Sequence, residues 1–227
     1  MKLPSEYSSQ RLTFEPLHKD PANQALIQEL MNTPSVHASM TPHLLKPFTT
    51  EDSKTHVEQF SKCLLCVIIC LKSSDDGDDN RRHHNDDLAG DAQPKESSKE
   101  RIGFMMLYSI PQTLSHNRHT SLGIVLSPKY QSKGYGTEAL NWLVDWGFRY
   151  ANLHSIGVQV MNNNPRALHV YTKLGFIVEG RSRESVWFDR RWYDTISLGM
   201  LESEWEAMRG RGTEGKPMPR INGITSL

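Results

Sequence analysis

Apolar residues return along this chain at two spacings, and the switches between them mark out the elements. Leu12, Phe14 and Leu17 alternate with polar residues around Pro16, the period-two pattern of a short first strand. Over 22–32, Leu26, Ile27, Leu30 and Met31 share one face at helical spacing, which predicts an amphipathic helix. The pattern dissolves over 33–48, where Pro34, Pro42 and Pro47 with His37 and His43 predict a loop or short helical turns. Thr49 or Thr50 ahead of Glu51 and Asp52 then opens a second helix that turns Val57 and Phe60 inward.

Residues 64–71, LLCVIICL, read as a buried strand. From Ser73 to Glu100 there is almost nothing to bury, so ordering that stretch would cost more entropy than it recovers; it is expected to be a disordered insertion between strands. Strand patterns resume at 101–110 and 120–128 as an antiparallel pair. Over 136–153, Leu140, Leu143, Val144, Gly147 and Ala151 form one stripe with Trp142 and Trp146 beside it, the broad face of a helix packed on a sheet. Ile156, Val158 and Val160 make the next strand. A short helix follows, with Asn164 at the cap, Pro165 at the first position and Gly175 past the end. Residues 176–201 supply two closing strands around a turn at FDRR.

That order predicts a single α/β domain with a mixed sheet. Its bounds are 9–206, between an N-terminal tail over 1–8 and a Gly-, Pro- and Arg-rich disordered tail over 207–227. A length of 227 residues suits one such domain. The 26 basic and 26 acidic side chains cancel, so no overall field draws the chain to nucleic acid or an anionic membrane, and any anion must be held locally. No apolar run nears the roughly 20 residues needed to cross a bilayer, and the first residues lack a secretory pattern; the expected location is cytoplasmic, with the nucleus left open.

Two metal-like patterns are set aside. Cys63, Cys66 and Cys70 have C-x-x-C spacing, but Leu64, Leu65, Val67, Ile68 and Ile69 fill the gaps, so the thiols read as small buried hydrophobes. His83 and His84 lie in the charged insertion, with no scaffold to fix ligand geometry. No metal site is expected.

The chemistry centres on YQSKGYGTEAL, residues 130–140. A strand ends at Pro128, and Gln131, Ser132, Lys133, Gly134, Tyr135 and Gly136 lead into a helix near Thr137. Unpaired N–H groups and the positive helix end converge there, which makes an anion site; the bland alternative is a capped turn. The spacing is not the Walker G-x-x-x-x-G-K-[ST] and lacks the third glycine of G-x-G-x-x-G, which weakens nucleotide readings.

Together, Q-x-x-G-x-G after the fourth strand, Asn164 before a short helix and VYTKLGF at its end resemble the GNAT superfamily of N-acetyltransferases. The closing strands are similar to the branch holding ribosomal-protein N-terminal acetyltransferases (RimJ/RimL-type) and spermidine acetyltransferases. The resemblance implies a mixed, mostly antiparallel sheet of about seven strands flanked by about four helices. It also implies that Gln131 to Thr137 hold the pyrophosphate of acetyl-CoA and that Ile124, Val125 and Leu126 line the pantetheine arm. In the same terms, the main-chain N–H of Val125 polarises the thioester carbonyl, Asn164 contacts the cofactor, and Tyr171 binds near the sulfur as general acid.

The implied reaction is direct transfer of acetyl from acetyl-CoA to a primary amine: a small molecule, a polyamine or a protein N-terminus. Relatives often pair as homodimers. Many carry a Glu where this chain has Ser121, so the base is open; Asp194 and Glu184 are the carboxylates to inspect, and His37 and His43 lie where relatives shape the acceptor pocket. Ser121 also keeps open a non-catalytic acyl-CoA-binding protein on the same fold.

Overall fold

The computed structural model describes residues 7–72 and 99–209. The expected insertion, apart from Lys99 and Glu100, lies outside the described residues, as do His83, His84 and the tail beyond Arg209.

Strand β1 (Leu12–Pro16) leads into helices α1 (Pro21–Met31), α2 (Pro34–Met40) and α3 (Thr50–Phe60). Strands β2 (Leu65–Leu71), β3 (Arg101–Leu107) and β4 (His119–Leu126) follow, then α4 (Tyr135–Arg149), β5 (Ser155–Met161), α5 (Pro165–Lys173), β6 (Ile177–Phe188), β7 (Arg191–Leu201) and α6 (Glu202–Met208). The seven strands form one sheet in the order β1-β2-β3-β4-β5-β7-β6. Every pairing is antiparallel except β4 with β5.

Local chemistry starts and stops the helices. Asp20 caps α1 by accepting from the Asn23 N–H, with Pro21 in the first turn, and Thr49 and Asp52 form a reciprocal capping box on α3. Asn164 caps α5 by accepting from the Ala167 N–H, and Gly175 takes the left-handed φ of 99° that ends the helix region. The FDRR turn joins β6 to β7 through Asp189 and Arg190, both at positive φ (46° and 59°), which matches the twist of a tight hairpin.

Alternating side chains divide the core into two layers. Ile68, Phe104, Met106 and Val125 face α1 to α3 and meet Ile27, Leu30, Val36 and Val57. Val67, Ile69, Met105, Leu107 and Leu122 face the other way, onto Leu140, Leu143 and Val144 of α4, with Trp205 of α6 in the same cluster. Of the cysteines, Cys70 is buried as expected while Cys63 and Cys66 are half-buried; burial pushes the Cys66 and Cys70 thiols up to about 12, so they sit as neutral side chains.

Among the described residues, six α-helices are found where about four were expected. α2 forms inside the proline-rich stretch because Pro34 sits at a first-turn position, where its missing N–H costs nothing. α6 continues through Met208, so Ala207 and Met208 are helical although the sequence reading placed them in the tail. Arg209 follows, donating to Asp145 and Asn141 of α4. At the other end, Tyr7 and Ser8 also join the fold: the Tyr7 carbonyl accepts from Phe14, and Ser8 bridges to Thr13.

Candidate active site

A gap opens in the middle of the sheet. β4 and β5 pair only through His119–Ser155, Thr120–Ile156 and Ser121–Gly157, after which the strands part. Leu122 to Leu126 and Val158 to Met161 therefore border a wedge, with α4 packed behind it. Which main-chain groups face the wedge follows from the β3–β4 ladder. Tyr108 N–H donates to the Ser121 carbonyl and Ser127 N–H to the Ile102 carbonyl, in register with Phe104 opposite Val125. Antiparallel partners alternate in direction, so Ser121, Gly123 and Val125 point their polar backbone groups at β3, while Leu122, Ile124 and Leu126 point theirs at the wedge.

This corrects one expectation. The Val125 N–H is turned into the ladder and cannot polarise a carbonyl in the wedge; past the last β4–β5 rung, the amides that can are those of Ile124 and Leu126. The Val125 side chain packs in the layer of α1 to α3.

At the wide end of the wedge lies the glycine loop. Pro128–Tyr130 make one tight turn, Ser132 takes a φ of 60°, and Gly134 caps α4 at a φ of 83° without any side-chain cap. The first-turn N–H groups of Tyr135, Gly136 and Thr137 thus have no side-chain acceptor, and the helix dipole adds positive potential there. The Gln131 carboxamide donates to the Leu126 carbonyl at 2.8 Å, tying the loop to the end of β4.

Cations surround this loop. Arg166 on α5 donates to Gln131 Oε1 at 2.6 Å and to Ser132 Oγ at 3.4 Å, so the start of α5, capped by Asn164, is clamped to the loop. Arg11 donates to the Lys133 carbonyl at 3.1 Å and pairs with Glu138 at 2.7 Å. Burial alone would raise the Glu138 carboxyl, but the Arg11 N–H, the Ser9 hydroxyl and the Arg11 guanidinium outweigh it and hold it below the usual range. The one acid of the first turn is thereby answered, leaving the loop positive. Lys133 holds its ammonium over the Tyr130 ring at 5.7 Å. Uncapped amides, a glycine at positive φ and convergent cations suit a diphosphate, so the donor set fits coenzyme A.

Tyr171, on α5, is buried against Phe176 with ring centroids 5.7 Å apart. Burial, and then the nearby Tyr108 phenol, push its pKa up, so it stays protonated and able to donate. Asn164 spends its Oδ1 on the Ala167 N–H.

The two carboxylates are placed apart from these groups, at the β6–β7 hairpin. Asp194 accepts from the Glu184 N–H at 2.7 Å and from the Arg181 guanidinium. These bonds, the Glu184 N–H first, hold its carboxyl below the ordinary range, which makes it a poor base. Glu184 itself sits at a φ of 48° where the β6 register shifts, on an open hollow of about 780 Å³ shared with Arg181, Arg183 and Asp194.

The sheet face opposite α4 is the one covered by α1 to α3. There α2 packs over β4; His37 is buried with an unpartnered Nδ1, and burial, then His43, lower its pKa. Tyr108, just past the end of β3, places its hydroxyl 3.3 Å from where a Cβ on Gly123 would lie. Next to it is a cavity of about 330 Å³ whose walls include Tyr108, Ile110, Leu114, Asn117, His119 and Ser121. Sequence reading missed Arg11, Arg166, Tyr108 and His119. Only Arg166 left a local trace, two residues after Asn164 in the first turn of α5; the Arg11 contact to Lys133 spans 122 residues.

Solved structures share this architecture. The spermidine N-acetyltransferase of Vibrio cholerae, in complex with CoA and spermine, superposes with a TM-score of 0.65 over 87% of this chain and 99% of its own, at 20% identity. A Bacillus anthracis GNAT-family acetyltransferase gives a TM-score of 0.62 over 86% and 97%, at 19% identity. Among curated relatives, the Vibrio cholerae spermidine N(1)-acetyltransferase is 30% identical over 49% of this chain and 62% of its own length. The ribosomal protein uS5 alanine N-acetyltransferase of Escherichia coli is 29% identical over 37% of this chain and 43% of its own. The chain thus spans less than two thirds of the curated relatives it matches. The acetyltransferase (GNAT) domain matches residues 11–177, and the chain belongs to that family.

Proposed function

We propose that this chain transfers an acetyl group from acetyl-CoA to a primary amine. The observation that carries the reading is the wedge between β4 and β5, which ends at an uncapped helix start ringed by Arg11, Lys133 and Arg166. Coenzyme A, when bound, supplies the activated acetyl group. The loop from Gln131 to Thr137 holds its diphosphate through backbone amides, with Ser132, Lys133, Gly134, Tyr135 and Gly136 in the cradle and Arg166 closing it. The Ile124 and Leu126 amides face the pantetheine arm and the carbonyl, where a fixed donor is worth most as negative charge develops. Tyr171 gives its proton to the departing sulfur. The domain carrying this work is taken as 9–206, and the partners are acetyl-CoA and one amine.

The names of the relatives support amine acceptors of both kinds, polyamine and protein N-terminus. The test is thiol release from acetyl-CoA against spermidine, aromatic monoamines and N-terminal tetrapeptides. Release that depends on one of these amines is expected. Acetyl-CoA binding by calorimetry with no release from any amine would favour the second reading, a non-catalytic acyl-CoA-binding protein, which Ser121 at the usual Glu position motivates. No binding at all would overturn both.

A further inference from the structure

Ser121 leaves the acceptor face without the carboxylate that would take the amine's proton, yet a basic group stands two residues earlier on the same side of the same strand. The His119 ring and the Ser121 hydroxyl both lean over Gly157 of β5. From the point where a Cβ on Gly157 would lie, His119 Cε1 is 3.3 Å, Ser121 Oγ 3.4 Å and His119 Nε2 3.6 Å. Gly157 therefore leaves the space in which the two side chains meet, and one water suffices to join them. His119 Nδ1 is held by Ser155 Oγ at 2.8 Å, across the paired part of β4 and β5. With Nδ1–H donated to that hydroxyl, Nε2 carries the lone pair. Both His119 and Ser121 line the 330 Å³ cavity beside the wedge.

We propose that His119 is the proton acceptor of the transfer, working directly or through a water at Ser121, and that this pair replaces the carboxylate found in many relatives. The inference rests on the acetyltransferase reading. The protons balance as follows. The ammonium form of the acceptor gives one proton to His119 Nε2, which returns it to solvent. The freed nitrogen forms the C–N bond as the C–S bond breaks. Sulfur takes a proton from Tyr171, which regains one from the nitrogen, so amide, thiol and one solvent proton result. The side walls of the cavity, Ile110, Pro111 and Leu114, are apolar and Asn117 is neutral, and no carboxylate among the described residues lines it, so it suits an amine on an uncharged body better than a polycation.

Charged and titratable groups around His119 are few. Tyr108 shares the cavity, His116 lies on the preceding turn, and Arg118 and His154 both approach Glu202, at 3.8 and 3.9 Å. None of these is placed to take the proton in place of His119 while Arg118 and His154 share Glu202.

The experiment uses the full chain with the best amine of the panel. His119→Gln is expected to lower kcat about 100-fold with acetyl-CoA affinity unchanged by calorimetry, and to change the pH profile of kcat/KM. His119→Ala is expected to regain activity when imidazole is added to the buffer. Apart from turnover, the His119 ring resonance, assigned by its loss in His119→Gln, is expected to shift when the amine is added with CoA in a non-reacting mixture. Wild-type turnover with an unaltered His119→Gln pH profile would overturn the assignment of the base alone, as would a ring resonance indifferent to the amine. A wild type that releases no thiol would overturn the acetyltransferase reading beneath it.

Discussion

The wedge has two ends, and they are built by different means. At the anion end, the residues that matter are close in sequence: Gln131 reaches back to Leu126, Gly134 supplies the positive φ, and the α4 amides follow at once. At the acceptor end, Tyr108 just after β3, His119 and Ser121 of β4 and Gly157 of β5 meet only through strand register. The first is a backbone device that tolerates side-chain change wherever a glycine is not required. The second is a side-chain device, so it can exchange a carboxylate for a histidine and a serine while the fold stays the same.

The largest expected effect lies at the anion end. Gly134 holds φ at 83°, so Gly134→Val adds strain and places a branched side chain toward Arg11, whose Nη2 is 3.2 Å from an ideal Cβ. Acetyl-CoA affinity is expected to fall about 100-fold or more, a loss of about 2.7 kcal/mol. Calorimetry checks it, and a circular dichroism melt reports whether the fold survives. Because Gly136 has ordinary space at 3.4 Å from Leu126, Gly136→Trp tests the same cradle at a site free of positive φ. If both bind normally, the anion end is not where coenzyme A sits.

How much of each end was legible follows the same division. The caps at Thr49 and Asn164, the tight FDRR turn and the glycine loop could be read because each is settled within a few residues by donors, acceptors and allowed dihedrals. The alternation of β4 was legible too, but alternation alone does not say which amides face a partner strand. That depends on register against β3, which is why Val125 was expected to present an N–H that Ile124 and Leu126 in fact present. His119 left no signal at all, since its meaning depends on Ser155 and Gly157, 36 and 38 residues downstream across the parallel β4–β5 pairing. Arg11 is hidden for the same reason. Asp194 drew notice as a carboxylate, but its charge is spent on Arg181 and the Glu184 N–H, contacts that a strand pattern does not reveal.

Tyr171 joins the two ends, and its removal is expected to be the next largest effect. Burial and Tyr108 keep its proton on, so donation does not fade as pH rises through neutrality. Tyr171→Phe is expected to reduce kcat about 100-fold and to leave the acetyl-CoA dissociation constant within about twofold. Equal losses in affinity and rate would make Tyr171 a packing residue on Phe176.

Arg166 offers a finer division of the anion end. Its guanidinium fixes Gln131 and Ser132 and adds charge at the mouth, so Arg166→Ala is expected to weaken acetyl-CoA about tenfold, the order of one charge-assisted hydrogen bond. The deficit should shrink as salt is added, because an exposed cation is screened. A salt-independent loss would mean that Arg166 acts by shaping the loop alone.

The smallest effect is expected at Asp194, outside both ends. Its folded pKa is depressed by the Glu184 N–H and Arg181, so its contribution to stability is present above the ordinary carboxylate range and is lost as pH falls below about 4. Wild type and Asp194→Asn should therefore differ in Tm at pH 7 and converge toward pH 3, with turnover at neutral pH little changed. Were Asp194 instead the base, Asp194→Asn would abolish turnover at every pH while leaving Tm nearly intact. The comparison of the two curves thus decides between a hairpin brace and a proton acceptor, and a brace removes Asp194 from competition with His119.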